Sequence, residues 1–223
     1  MVLIFDLDDT LYDESTYVES GFRAVAEYAE RERGWDSRAS LATMMEILAR
    51  NGRGAVFDRW LEGHGARTAA LVSDCVRVYR HHQPSIRLWV SADRLLDAIA
   101  VDHRLYIVTD GHKVAQARKV EALGLEARVQ KAYITHRYGV RHAKPSTYCF
   151  ELIRRREGCA WTDMLYAGDN PAKDFVNLNP LGVHTVRVMT GMHRNVLAAP
   201  GYDACHRVPD LDHFEPLLET LQR

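Results

Sequence analysis

Four short polar segments carry the residues of this chain that can do chemistry, and three of them directly follow apolar runs. Asp6-Leu7-Asp8-Asp9-Thr10 follows Val2-Leu3-Ile4-Phe5, and Thr109-Asp110-Gly111 follows Leu105-Tyr106-Ile107-Val108. Lys144-Pro145 stands alone after a loop, and Gly168-Asp169-Asn170-Pro171-Ala172-Lys173-Asp174 follows Met164-Leu165-Tyr166-Ala167. If the fold gathers these segments, Asp6, Asp8, Asp169 and Asp174 share one pocket. Carboxylates so placed repel each other strongly, and one lysine does not neutralise four. A hard divalent cation does, and oxygen-only ligands with room for water suit Mg²⁺. No histidine cluster with zinc spacing lies near these positions, which disfavours zinc. A Mg²⁺ held by carboxylates usually completes its shell with substrate phosphate oxygens. Gly111 leaves room for a phosphate to approach the backbone, and the Thr109 hydroxyl and Lys144 ammonium supply donors for it. No G-x-x-x-x-G-K-[ST] loop exists in the chain, so the phosphate is not held as in P-loop nucleotide enzymes.

The elements that must position these groups are legible in the hydrophobic periodicity. Residues 2–5 are a continuous apolar run suited to a strand buried on both faces. Helical spacing then recurs in Tyr17, Phe22, Val25 and Ala29, in Leu41, Met44, Met45 and Leu48, and in Leu71, Val72, Cys75, Val76 and Tyr79. Asn51-Gly52-Arg53-Gly54 interrupts the series as a loop. From about residue 89 the pattern alternates. A helix carrying Leu95, Leu96 and Ile99 leads to the strand at 105–108. A helix with Val114, Ala117, Val120 and Leu123 on its apolar face follows, with Gly124 as its terminator. Further strands are expected at 132–134, 164–167 and 184–188. Pro145 opens the next helix, and Asn170-Pro171 reads as an N-cap and first-turn proline of another. Leu211, Phe214, Leu217, Leu218 and Leu221 give a closing helix. Strands alternating with helices imply an α/β fold with a Rossmann-like parallel sheet, whose chemistry sits at the carboxyl ends of the strands. The polar segments fall at those ends.

Composition agrees with a globular chain and narrows its partners. The 223 residues are 47% apolar and 26% charged, which excludes a disordered chain. The formal net charge of -1 argues against a nucleic-acid or general polyanion binder. The four cysteines, Cys75, Cys149, Cys159 and Cys205, form no C-x-x-C pair, so a disulfide framework is not expected. No apolar run approaches the ~20 residues needed to cross a bilayer, and the N-terminus lacks the basic start and long apolar stretch of a secretory signal. A cytoplasmic protein without a membrane partner is the expectation.

Phe5-Asp6-Leu7-Asp8-Asp9-Thr10-Leu11 resembles the D-x-D-x-T motif of the haloacid dehalogenase-like hydrolase superfamily. Ile107-Val108-Thr109-Asp110-Gly111 resembles its second motif, Lys144-Pro145 its third, and Gly168-Asp169-x-x-x-x-Asp174 its fourth. All four stand in the family's order across residues 2–175, and the ordered set is far more specific than any one member. The resemblance implies a Rossmann-like catalytic core at 1–12 and 89–223, with an inserted helical C1-type cap at 13–88 that closes over the site. Asp6 would be the nucleophile forming an aspartyl-phosphate. Asp8 would be the general acid and base, neutral at the first step, a state that a pocket full of negative charge favours. Asp6, the Asp8 carbonyl and Asp169 would hold Mg²⁺. Thr109 and Lys144 would stabilise the transferring phosphoryl group, and Asp174 would orient Lys144 or metal-bound water.

An acid two residues after the nucleophile is what dehalogenases of this superfamily lack, so the resemblance implies a phosphatase acting on a small phosphate monoester, a sugar phosphate or nucleotide monophosphate. A phosphomutase of the same fold and a non-catalytic binding module are the alternatives. Asp110 departs from the asparagine frequent in the family; its carboxylate must point away from bound phosphate, join the metal shell or weaken binding. Asp174 has a plainer reading as an acid complementing a helix dipole in its first turn. Phe57 and Trp60, at i and i+3, read as packing inside the cap rather than as substrate contacts, and Cys149 reads as core.

Overall fold

In the computed structural model, which describes residues 1–221, six parallel strands form one sheet. They are β1 (Val2–Phe5), β2 (Arg104–Thr109), β3 (Lys131–Ile134), β4 (Met164–Gly168), β5 (His184–Val188) and β6 (His206–Val208). Their spatial order is β3-β2-β1-β4-β5-β6. The order reverses direction at β1, so the crevice at the carboxyl ends of β1 and β4 is the switch point where such sheets bind ligands. Register puts Phe5 beside Ile107 on one side and Ala167 on the other. Asp6, Thr109 and Asp169 therefore emerge close together at the same edge of the sheet.

The central strands β1, β2 and β4 are largely apolar because both faces are covered. Val2 and Ile4 pack with Tyr106, Val108, Met164 and Tyr166 on one face, against Phe150 and Ile153 of a helix, α7 (Tyr148–Glu157). Phe5 belongs to the opposite face and meets the ring of Phe214 at 5.4 Å, in the closing helix α8 (Phe214–Leu221). The helix after β2 is α6 (Lys113–Ala122), and α5 (Val90–Ile99) precedes that strand.

Two compact units divide the chain. Met1–Glu14 joins the chain from Arg87 onward in the sheet unit, and Ser15–Ile86 forms the second. The second unit is built from α1 (Glu14–Arg33), α2 (Ser37–Asn51), α3 (Val56–Gly63) and α4 (Ala69–His81). Asp36 and Thr68 cap α2 and α4 by accepting the backbone N–H of Ala39 and Leu71. Its core holds Phe22, Val25, Met44, Trp60 and Cys75, with Trp60 edge-on to Trp35 at 5.5 Å. Phe57 packs on Phe22 and Tyr79.

Three sequence expectations differ from the structure. No α-helix follows Asn170-Pro171; the segment runs in turns to a short 3₁₀ stretch at Asn179–Leu181. Asn170 Oδ1 accepts the Ala172 N–H, and Asp174 Oδ2 accepts the Asn170 N–H. Such local side-chain bonds compete with helix formation. The helix after Lys144-Pro145 begins only at Tyr148, because a turn intervenes in which Ser146 donates its N–H to the Ala143 carbonyl. β6 was not expected: at three residues, two of them polar, it carries too little periodicity to read.

Candidate active site

Asp6 extends β1 by one residue, its N–H donating to the Ala167 carbonyl at 2.8 Å, and its side chain is buried. The Lys144 ammonium lies 2.9 Å from Asp6 Oδ1 and 2.8 Å from Asp174 Oδ1. It also donates to the Tyr166 hydroxyl at 2.9 Å, and that hydroxyl donates onward to Asp174 Oδ1 at 3.1 Å. Lys144, Tyr166 and Asp174 thus brace one another, with both Asp174 oxygens engaged. Gly168 is required by this packing, since a Cβ there would sit 2.6 Å from Asp174 Oδ2. The dipole reading of Asp174 fails because no α-helix begins there. Burial alone would lower the Lys144 pKa, but Asp174 and Asp6 outweigh it and hold the ammonium charged well above its usual range.

Carboxylate oxygens of Asp6, Asp169 and Asp174 come within 4.8 Å of one another, all three residues buried. Burial raises Asp6 to about 6, with Lys144 opposing and Asp174 adding to the rise. Burial, then repulsion from Asp6 and Asp174, raises Asp169 to about 9. Three carboxylates facing one ammonium are short of positive charge, and the donor set is all oxygen. The cluster therefore fits a hard divalent cation. Because Asp174 is committed to Lys144, Tyr166 and the Asn170 N–H, Asp6 and Asp169 are the carboxylates available to such an ion.

Asp8 lies on the other side of the pocket, turned to α6. Its Oδ1 accepts the Lys119 ammonium at 2.7 Å and the Tyr12 hydroxyl at 2.5 Å, and its Oδ2 accepts the Gln116 amide at 2.9 Å. Its side chain thus stands outside the cluster of Asp6, Asp169 and Asp174. In the resting site the negative charge of the neighbouring carboxylates does not by itself keep Asp8 neutral. Burial does push its pKa up, but the Lys119 charge and the hydrogen bonds from Lys119, Tyr12 and Gln116 outweigh that and lower it.

Thr109 is fully buried at the end of β2, its hydroxyl 2.6 Å from Gln116 Nε2. Asp110 points away from this pocket. Its Oδ1 accepts the Thr135 hydroxyl and the Lys144 N–H, and its Oδ2 accepts the Lys173 ammonium at 3.1 Å. Burial raises its pKa, while Lys144 and Lys173 more than offset this and keep it ionised. Asp110 thereby ties the Lys144 loop to β2 and β3.

Gln116, Lys119, Tyr12 and Tyr166 were missed in the sequence. The apolar face expected on α6 was Val114, Ala117, Val120 and Leu123; the buried helix residues are Ala115, Gln116, Lys119 and Val120. Two polar residues three apart beside an apolar stripe were the available signal.

A family model described as haloacid dehalogenase-like hydrolase matches residues 1–175, which span every strand end described above except those of β5 and β6. The chain belongs to the haloacid dehalogenase-like hydrolases. Among curated relatives of this hydrolase, a glyceraldehyde 3-phosphate phosphatase from Methanocaldococcus jannaschii is 25% identical over 202 residues, 87% of each chain. Another from Methanopyrus kandleri is 27% identical over 223 residues, 96% of this chain and 93% of that one. Among solved structures, the Bacillus subtilis HAD-hydrolase YfnB bound to magnesium superposes with a TM-score of 0.70 at 19% identity, covering 97% of both chains. A 2-haloacid dehalogenase from Pseudomonas syringae superposes at 0.65 with 18% identity over 99% of both. The shared fold spans hydrolases of different bonds, so the reaction rests on the site. No helix among the described residues is long and apolar enough to cross a membrane.

Proposed function

We propose that this hydrolase is a Mg²⁺-dependent phosphatase of small phosphate monoesters, acting on a sugar phosphate of the triose phosphate class. The observation that carries the reading is the pairing of two differently set carboxylates. Asp6 is held by Lys144 in the acidic cluster, whereas Asp8 is held by α6 outside it. One serves as nucleophile and the other as acid and base. A carbon–halogen displacement has no use for the second. The curated relatives, matched over nearly their whole length, are named for a triose phosphate, which favours a sugar phosphate over a nucleotide.

In this reading the Asp6 carboxylate attacks phosphorus while the bond to the ester oxygen breaks. Lys144 and the Thr109 hydroxyl receive the equatorial oxygens, where charge persists through the transfer. Asp8 gives a proton to the leaving oxygen, having gained it as the phosphate's negative charge enters the pocket. In the second step Asp8 takes a proton from water, whose oxygen attacks phosphorus and releases Asp6. Its ionised resting form suits it to that role. Asp174 keeps Lys144 in place, and Asp110 anchors the same loop from the backbone. Mg²⁺ would be held by Asp6, Asp169 and the Asp8 carbonyl, and when bound it neutralises phosphate and carboxylate charge. The magnesium in the YfnB structure supports that choice of ion.

The test is phosphate release from a panel of phosphorylated sugars and nucleotides, with and without EDTA, comparing wild type with Asp6→Asn. Release should require Mg²⁺ and be lost in the variant, with unfolding unchanged in character. Full activity in Asp6→Asn refutes the nucleophile assignment. A requirement for added bisphosphate, with no net phosphate release, would instead indicate a phosphomutase.

A further inference from the structure

Gln116 is 2% exposed, lies in none of the motif segments and touches two of them. Its Nε2 sits 2.9 Å from Asp8 Oδ2 and 2.6 Å from Thr109 Oγ1. Asp8 already accepts from Lys119 and Tyr12 on its other oxygen, as a carboxylate does. A carboxylate has no proton to give, so the amide group facing it must be the NH₂ end of Gln116. That end has two protons, and two oxygens stand before it. Thr109 Oγ therefore accepts from Gln116. A hydroxyl that accepts from one direction has its own proton to give in another.

We infer that Gln116 is a positioning residue that sets the Asp8 carboxylate and the Thr109 hydroxyl with a single amide, leaving the Thr109 proton to be donated to a phosphoryl oxygen. Gly111 belongs to the same device. Its φ is +133°, and a Cβ there would lie 3.1 Å from Gln116 Cγ and Cδ. Gly111, which leaves room for phosphate, also leaves room for this amide. The inference rests on the phosphatase reading for its chemistry, though not for its geometry.

Gln116→Glu keeps the shape and reverses the polarity. It sets a carboxylate against Asp8 and invites the Thr109 proton towards itself. Gln116→Leu removes the amide without adding charge. Each variant is assayed on an alkyl ester, glycerol 3-phosphate or glyceraldehyde 3-phosphate, and on p-nitrophenyl phosphate, whose leaving group departs without a proton. General acids contribute typically 10²–10⁴-fold. Both variants should therefore lose kcat on the alkyl ester by about 100-fold more than on the aryl ester. A residue that only supports the fold would lower both equally. Binding of inorganic phosphate, measured by calorimetry with Mg²⁺ present, should weaken about tenfold or more in Gln116→Glu, as expected when a charge-facing donor is lost. Adding Thr109→Val should then weaken it little further. Equal losses on the two esters, or additive losses of phosphate affinity, would overturn the inference. If wild type released no phosphate from any ester, the phosphatase reading would fall, while the binding cycle would still decide the role of Gln116.

Discussion

Replacing Lys119 with methionine should destabilise the sheet unit, chiefly through its contact with Asp8. The Lys119 side chain is 4% exposed, and its ammonium lies 2.7 Å from Asp8 and 3.6 Å from Glu14. Two unit charges about 4 Å apart attract by about 4 kcal/mol at an effective dielectric near 20. Deleting one member of a fully buried pair costs roughly 3–5 kcal/mol; the Asp8 side chain is 20% exposed, so water reaches the surviving charge and the low end applies. At about 2–4 °C per kcal/mol for a chain of this size, Tm should fall by roughly 6–12 °C. Asp8→Asn removes the stranded charge, so the double variant should recover part of the loss, with a coupling of about 1–3 kcal/mol. Thermal and urea unfolding of the four proteins in EDTA, followed by circular dichroism, measures the cycle without reference to turnover. Additive losses, within about 0.5 kcal/mol, would show that Lys119 does not act through Asp8.

The remaining predictions concern the acidic cluster and the Lys144 loop. Metal-free, the folded protein holds protons on Asp6 and Asp169 at pH values where the unfolded chain, with aspartates near 3.8, has released them. Stability in EDTA should therefore fall as pH rises from about 4 towards about 9. The rise in Tm on adding Mg²⁺ should be larger at pH 8 than at pH 5, and a Mg²⁺ effect that shrinks with rising pH would contradict the cluster's electrostatics. Asp110→Ala strips the acceptor from Thr135 and the Lys144 N–H and should cost about 1.5–3 kcal/mol in urea unfolding. Asp110→Asn retains that acceptor and should cost less; equal losses would locate the importance of Asp110 in its Lys173 pair instead.

Much of the scaffold was legible in local sequence, for physical reasons that differ by element. β1, β2 and β4 are largely apolar on both faces because both are covered, and a run such as Val2-Leu3-Ile4-Phe5 announces this directly. The strand-end groups Asp6, Thr109 and Asp169 follow, since a parallel sheet presents its carboxyl ends at one edge. Lys144 and Asp174 were visible as residue types, but not as members of one brace, because Tyr166 looked like an ordinary strand residue. Its hydroxyl acquires meaning only beside Lys144 and Asp174.

By itself the sequence determined the alternation of strand and helix and the chemical types delivered to the strand ends, because both are written in neighbouring residues. Only the tertiary structure decided the ionisation of Asp8, the direction taken by Asp110 and the turn, rather than helix, after Asp169. Each depends on groups more than twenty residues away or on competition between local bonds: Lys119 and Gln116 for Asp8, Thr135 and Lys173 for Asp110, Asn170 with Asp174 for the turn. Charge and hydrogen bonding act through space, and a pattern read along the chain does not contain those distances.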